Sequence, residues 1–266
     1  MRPRPPKNPR VERILKILKA RRGPILFAFD FDGTLVGFRE DPAEVRLSKA
    51  QSALLSRLSR EFPVAIISGR SLRDLKARFR GLPSVHLAGN HGFEIEARGG
   101  KSLGDGKPEW SKAMRGWTRT LSRAIGSDPD LRGVLIEDKH YSLSAHFRGV
   151  RSPARTEAAL LRWAARLKPA PRIVRGVLVL NLVPADAHHK GDALRKLLRL
   201  SGCPSAFFAG DDVTDEDVFR LRSRNVVGVK IGNRPSRTAA RYRLGSRSEL
   251  SELLRRFLRE VTRDRS

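Results

Sequence analysis

The chain has 266 residues, enough for one large domain or two modest ones, and 39% of them are hydrophobic, which excludes a disordered polymer. A single cysteine, Cys203, excludes a disulfide framework and a cysteine-built zinc site, and no apolar run approaches the roughly 18 residues of a membrane span. The net charge of +26, from 54 basic against 28 acidic residues, would draw nucleic acid, anionic membrane or a phosphorylated substrate.

Arg outnumbers Lys 41 to 13, the basic residues occur in every segment, and only 6% of residues are aromatic. That distribution reads as solvated helix faces rather than a nucleic-acid interface, which needs a dense patch and stacking platforms. The expectation is a soluble cytoplasmic protein without a membrane partner, a basic nucleic-acid-binding protein being kept as the lesser alternative.

In chain order, a Pro- and Arg-rich start reads as a loose tail. Val11–Ala20 follows, a helix whose Val11, Ile14, Leu15 and Leu18 form a stripe that docks on the core. Next come strand Ile25–Asp30, helix Ser48–Phe62, strand Pro63–Ser68, a helix carrying Leu72, Leu75 and Phe79, and strand Val85–Gly89. This βαβαβ rhythm predicts a parallel sheet with right-handed crossovers.

The middle differs. Helices near Glu109–Ile125 and over Pro153–Leu167, the latter with a Ser152 cap, accompany an expected hairpin of Val134–Asp138 with Tyr141–Phe147 and a strand at Val177–Val183. Hairpin strands do not belong in a parallel core. Residues 94–184 are therefore expected to form an inserted α+β cap, a lid on hinges near 91–93 and 184–186. The α/β rhythm then resumes with helix Gly191–Leu200, strand Ser205–Ala209, helix Asp215–Leu221, strand Val226–Ile231 and a closing helix capped by Ser248. The fold class is α/β: a Rossmann-like parallel-sheet core made of 1–93 and 185–266, interrupted by the cap.

Two acidic clusters carry the chemistry. Asp30-Phe31-Asp32-Gly33-Thr34-Leu35 follows the apolar run of the first strand, and Gly210-Asp211-Asp212-Val213-Thr214-Asp215 follows that of Ser205–Ala209. Parallel strands deliver such residues into one crevice at their carboxyl ends. Converging carboxylates repel unless a hard cation sits among them, so the pair of clusters predicts a Mg²⁺ site. Asp30 and Asp32 alternate along an extended stretch and can share a face. One can act as metal ligand and nucleophile, the other as proton donor and base, while the Gly33 and Thr34 N–H groups are free to meet phosphate oxygens.

With these strings the chain resembles the haloacid dehalogenase superfamily of phosphohydrolases. The resemblance implies Asp30 as nucleophile, Asp32 as acid/base, Ser68 (in Ile66-Ile67-Ser68-Gly69-Arg70) as holder of the transferring phosphoryl, and Lys190 as the ammonium that offsets charge. It implies Asp30, Asp32 and Asp211 around Mg²⁺, with Asp212 and Asp215 in support. Ala88-Gly89-Asn90-His91-Gly92 and Glu137-Asp138-Lys139-His140-Tyr141-Ser142-Leu143-Ser144-Ala145-His146-Phe147-Arg148 are further similar to the trehalose-6-phosphate phosphatase family. The likeness runs from about residue 25 to 260.

The implied reaction is hydrolysis of trehalose 6-phosphate, with Gly33, Thr34, Gly69, Arg70, His91, Lys139, His146, Arg148 and Asn181 at the substrate. His188 and His189 read as loop. One departure matters: Asn181 and Val183 stand where the family carries a Glu and a basic residue. That keeps sucrose, glucosylglycerol and mannosylglycerate phosphates open as alternative substrates.

Overall fold

The computed structural model describes residues 8–39, 41–82, 84–102, 108–139 and 142–263; the expected tail falls largely outside them. The chain divides into two compact units, Met1–Leu103 with His189–Ser266, and Gly104–His188.

The first unit is built on a seven-stranded sheet. Its strands are β1 (Ile25–Phe29), β2 (Val64–Ile67), β3 (Val85–Gly89), β4 (Glu94–Glu96), β9 (Ser205–Gly210), β10 (Val226–Ile231) and β11 (Tyr242–Leu244), in spatial order β11-β10-β9-β1-β2-β3-β4. Every pair is parallel except β3 with β4. The sequence reading ends the core at 93, yet β4 pairs in this sheet and the compact units part at 103/104 and 188/189.

Both sheet faces are covered, which is why the strands read as unbroken apolar runs. Ile25, Phe27 and Phe29 of β1 and Phe207 and Ala209 of β9 point into one layer; Leu26, Ala28, Ala206 and Phe208 point into the other. The first layer holds α1 (Pro9–Lys19), α2 (Lys49–Glu61), α3 (Leu72–Arg78) and α8 (Arg247–Arg263), and the second holds α6 (Lys190–Ser201) and α7 (Glu216–Phe219). Phe27 anchors the first layer, its ring centroid 5.3 Å from those of Phe62 and Phe257 and 5.6 Å from that of Phe207. Each such fully buried ring contributes about 1.5–3 kcal/mol.

The stripe of α1 is buried in this layer, as the docking reading expects, and the Arg256–Glu12 pair at 2.7 Å joins α8 to α1. Two caps differ from expectation. Ser246, not Ser248, accepts from the Glu249 N–H at the start of α8, and Ser152 makes no side-chain cap bond.

The second unit packs α4 (Pro108–Ser127) and α5 (Pro153–Ala164) on a four-stranded antiparallel sheet, β5 (Leu135–Asp138), β6 (Leu143–His146), β8 (Val179–Pro184) and β7 (Pro171–Gly176) in that order. Leu143, Ala145, Leu180 and Leu182 face the helices, leaving the alternate residues for the other face. Among the described residues no helix is long and apolar enough to cross a membrane.

Candidate active site

Strand order reverses around β1: β2 and β3 extend the sheet one way, and β9, β10 and β11 the other. Ligand crevices in open α/β sheets form at that switch point, beyond the carboxyl ends of the strands. Asp30 stands just past β1, Ser68 just past β2 and Asp211 just past β9. Lys190 opens α6, positioned by His189, whose Nδ1 accepts from the Gly191 and Asp192 N–H groups. The pair read as loop from the sequence thus contains the helix cap, because a histidine ring nitrogen can replace the usual cap oxygen.

Lys190 is 2% exposed, and its Nζ donates to Asp30 Oδ1 and Asp215 Oδ1, each at 2.7 Å. Asp30 and Asp215 are likewise buried. Thr34 Oγ1 donates to Asp211 Oδ1 at 2.9 Å, and the Asp212 N–H donates to Asp215 Oδ2 at 2.8 Å. Carboxylate oxygens of Asp30, Asp211 and Asp215 all lie within 4.8 Å of one another. Gly33 is required beside them: its φ is +84°, and a Cβ there would stand 2.0 Å from Asp211 Oδ2. Gly210 has a similar reason, since a Cβ would meet Asp215 Cγ at 2.3 Å.

One ammonium faces three carboxylates, and the proton affinities record the imbalance. Burial, followed by the nearby Asp215 and Asp211, holds the Asp30 carboxyl well above the usual range despite the pull of Lys190. Burial, with Asp215 and Asp212 nearby, pushes Asp211 up to about 6 against the Thr34 hydrogen bond. Lys190 moves upward too: burial works against its charge, but Asp215 and Asp30 outweigh it. Hard oxygen donors with unbalanced negative charge, in a cradle kept open by Gly33, fit a divalent cation.

Asp32 does not join this group. Arg70 takes both its oxygens, Nε to Oδ2 at 2.6 Å and Nη2 to Oδ1 at 2.7 Å. The carboxylates brought together among the described residues are Asp30, Asp211 and Asp215; Asp32, expected beside Asp30 and Asp211, is held by Arg70, and Asp212 is exposed and outside the group. The reason is geometric: a guanidinium fork already satisfies Asp32. The Ser68 hydroxyl accepts from the Arg70 N–H at 3.2 Å, and the Ser68 carbonyl accepts from the His91 N–H at 2.8 Å. Gly69 lies under the His91 ring, where a Cβ would come within 2.7 Å. Thus Ser68, Gly69, Arg70 and His91 are gathered at the neighbouring ends of β2 and β3.

In the second unit, sheet register sets Glu137, Ser144 and Asn181 in one row. Ser144 Oγ donates to Asn181 Oδ1 at 2.6 Å, and Asn181 Nδ2 donates to the Val174 carbonyl at 3.3 Å. His146 Nε2 lies 2.8 Å and Lys139 Nζ 3.5 Å from Glu137 Oε2, and these contacts, the His146 hydrogen bond foremost, hold Glu137 below the usual range. Arg148 is exposed one residue past the buried Phe147. Glu137 and Ser144 are not among the residues expected from the sequence, although strand alternation with Lys139 and His146 points to them.

A Rossmann-like sheet with buried aspartates at its switch point, interrupted by an α+β unit, defines the haloacid dehalogenase-like phosphatase class. The trehalose-phosphatase family profile matches residues 28–248, and the chain belongs to that family. It is 33% identical over 258 residues to a trehalose-phosphate phosphatase of Mycobacterium avium, covering 92% of this chain and 64% of the relative. It is 33% identical over 262 residues to that of Mycobacterium leprae, covering 91% and 59%. The chain thus spans less than two thirds of the length of these relatives.

Among solved structures, the C-terminal domain of trehalose-6-phosphate phosphatase from C. albicans superposes with a TM-score of 0.76 at 22% identity, over 93% of this chain and 96% of that one. A trehalose-6-phosphate phosphatase related protein does so at 0.70 and 22%, over 90% and 99%. These two likenesses establish the fold.

Proposed function

We propose that the chain is a Mg²⁺-dependent phosphomonoester hydrolase that converts trehalose 6-phosphate to trehalose and phosphate, acting in the cytoplasm on a small anionic sugar. The observation that carries this is the close group of Asp30, Asp211 and Asp215, the first and last of them buried and bonded to one lysine, at the switch point of a sheet within a family-matched segment. The names of the mycobacterial relatives support the substrate.

In the proposed reaction an Asp30 oxygen attacks phosphorus and the bond to the sugar oxygen breaks. Asp32, which must first take up a proton against the Arg70 fork, gives that proton to the leaving oxygen, then takes one from water as that water attacks the aspartyl phosphate and frees Asp30. Lys190 and Ser68, with the Thr34 and Gly69 backbone, hold the phosphoryl oxygens and offset their charge; the Gly33 N–H, expected to be free for this, instead donates to the Val36 carbonyl at 2.8 Å, and Arg70 and His91 line the same crevice. Asp30, Asp211 and Asp215 would hold Mg²⁺, with Asp212 in support from the same turn. When bound, Mg²⁺ supplies charge neutralisation at the phosphoryl group. Lys139, His146, Arg148 and Asn181 are the proposed sugar readers.

The engagement of Asn181 by Ser144 and Val174 favours a second reading, another disaccharide or polyol phosphate. A panel of trehalose, sucrose, glucosylglycerol and mannosylglycerate phosphates separates them. The expected result is the highest kcat/KM on trehalose 6-phosphate; a large preference for another member overturns that assignment.

The metal has its own test. Folded-state values of Asp30 and Asp211 lie above the ordinary 3.8, so the folded chain binds more protons than the unfolded one between the two values. The stability they contribute is fully present below the unfolded value and is lost as pH rises through the folded one. Mg²⁺ binds the ionised carboxylates and opposes that loss. The rise in Tm on adding Mg²⁺ is expected to be small near about pH 4.5 and to grow until about pH 7. A shift that is flat or shrinking over that range would remove this carboxylate site.

A further inference from the structure

Arg70 is fixed from three sides. Nε and Nη2 form the fork on Asp32, Nη1 donates to Asp74 Oδ2 at 2.9 Å, and the guanidinium carbon sits 5.5 Å from the centre of the Phe31 ring. Asp74 belongs to the first turn of α3, and the same Oδ2 accepts from Arg78 Nε at 2.9 Å. The Arg78 side chain is 4% exposed and also donates to the Val45 carbonyl. An alternating chain, Asp32–Arg70–Asp74–Arg78–Val45, therefore runs from the crevice to a backbone anchor outside it.

A surface pair at i,i+4 on a helix contributes only about 0.3–0.5 kcal/mol and has no need of this arrangement. Asp74 does more than pair. Arg70 has freely rotating bonds, and a bidentate hold on Asp32 requires its plane to be set. Asp74 supplies that constraint at the one nitrogen Asp32 leaves over. The two arginines keep Asp74 ionised, below the usual carboxylate range, although burial pulls the other way as the largest single influence.

We propose that Asp74 is a positioning residue for the Asp32 carboxylate, acting through Arg70. The role rests on Asp32 delivering a proton to the leaving oxygen, and that dependence provides the test. An alkoxide leaving from a sugar phosphate needs the proton; p-nitrophenolate leaves without it. A displaced Asp32 therefore slows the first substrate and spares the second. A merely structural residue slows both.

The measurement is kcat/KM, which covers the steps up to phosphoryl transfer, for the full chain with Mg²⁺. It is made on p-nitrophenyl phosphate and on trehalose 6-phosphate, or on whichever sugar phosphate the wild type turns over fastest. Asp74→Asn is expected to lose about tenfold on the sugar phosphate and Asp74→Ala more, since misplacement of about 1 Å costs up to about 10²-fold. Both variants should stay within about twofold of wild type on p-nitrophenyl phosphate. Lys76→Ala, which removes the exposed pair with Glu96 from the same helix, should change neither rate. Equal losses on both substrates, or an undiminished rate of Asp74→Ala on the sugar phosphate, overturns the proposal. A wild type that ignores trehalose 6-phosphate but hydrolyses another sugar phosphate contradicts only the substrate assignment, and the positioning test then runs on that other substrate.

Discussion

Asp30→Asn is expected to lower phosphate release by about 10⁴-fold or more, the scale seen when a covalent nucleophile is removed. Stability should not fall with activity. Asp30 is buried beside two other carboxylates with one ammonium among them, and its raised proton affinity records a charge the folded chain accommodates at a cost. An amide of the same shape relieves part of that repulsion, and Lys190 keeps its bond to Asp215. Tm in the absence of metal should therefore hold or rise. The stabilisation by Mg²⁺ should weaken, since one oxygen ligand is lost. Turnover at an ordinary rate in this variant would rule out Asp30 as nucleophile.

The second large effect is at Lys190. Replacing it with Met keeps the length and apolar stem but leaves Asp30 and Asp215 facing each other without the buried ammonium that both accept from. Breaking a buried ionic network by removing one partner costs about 3–5 kcal/mol. The sign with pH follows from the upward shift of Lys190: its contribution is fully present below the unfolded-state value and is lost only as pH rises through the folded one, so the full cost appears at neutral pH. Activity should fall by at least about 10²-fold, as when a positioned charge at the transition state is removed. Pairing Lys190→Met with Asp215→Asn should recover part of the stability and none of the activity. Thermal unfolding and phosphate release on the two variants check both halves. A Lys190→Met protein as stable as wild type would mean that the ammonium does not offset these charges.

Much of the core was legible because strands buried on both faces leave continuous apolar runs, as in Ile25–Phe29 and Val226–Ile231. Strands without that signature were not. Glu94–Glu96 and Tyr242–Leu244 are three-residue edge strands, and Pro171–Gly176 is an edge strand that opens on Pro and carries two arginines. The Asp-x-Asp and Gly-Asp-Asp strings placed Asp30 and Asp211 at the crevice, because a strand end fixes where its next residue goes.

They could not divide the remaining carboxylates. Whether Asp32 or Asp215 joins the close group depends on a short 3₁₀ turn at Val213–Asp215 and on a guanidinium 38 positions away from Asp32. Neither leaves a local pattern. The same holds for Asp74, which reads from sequence as an acidic residue in a helix's first turn and gains its role only through Arg70 and Arg78.

If the phosphoryl group passes to Asp30, acid quenching during turnover of trehalose 6-phosphate traps it there. After digestion, mass analysis should find the peptide containing Asp30 heavier by one phosphoryl group in the wild type and unmodified in Asp30→Asn. Full-rate phosphate release with the phosphoryl group on a different residue, or the same adduct in Asp30→Asn, would contradict transfer to Asp30.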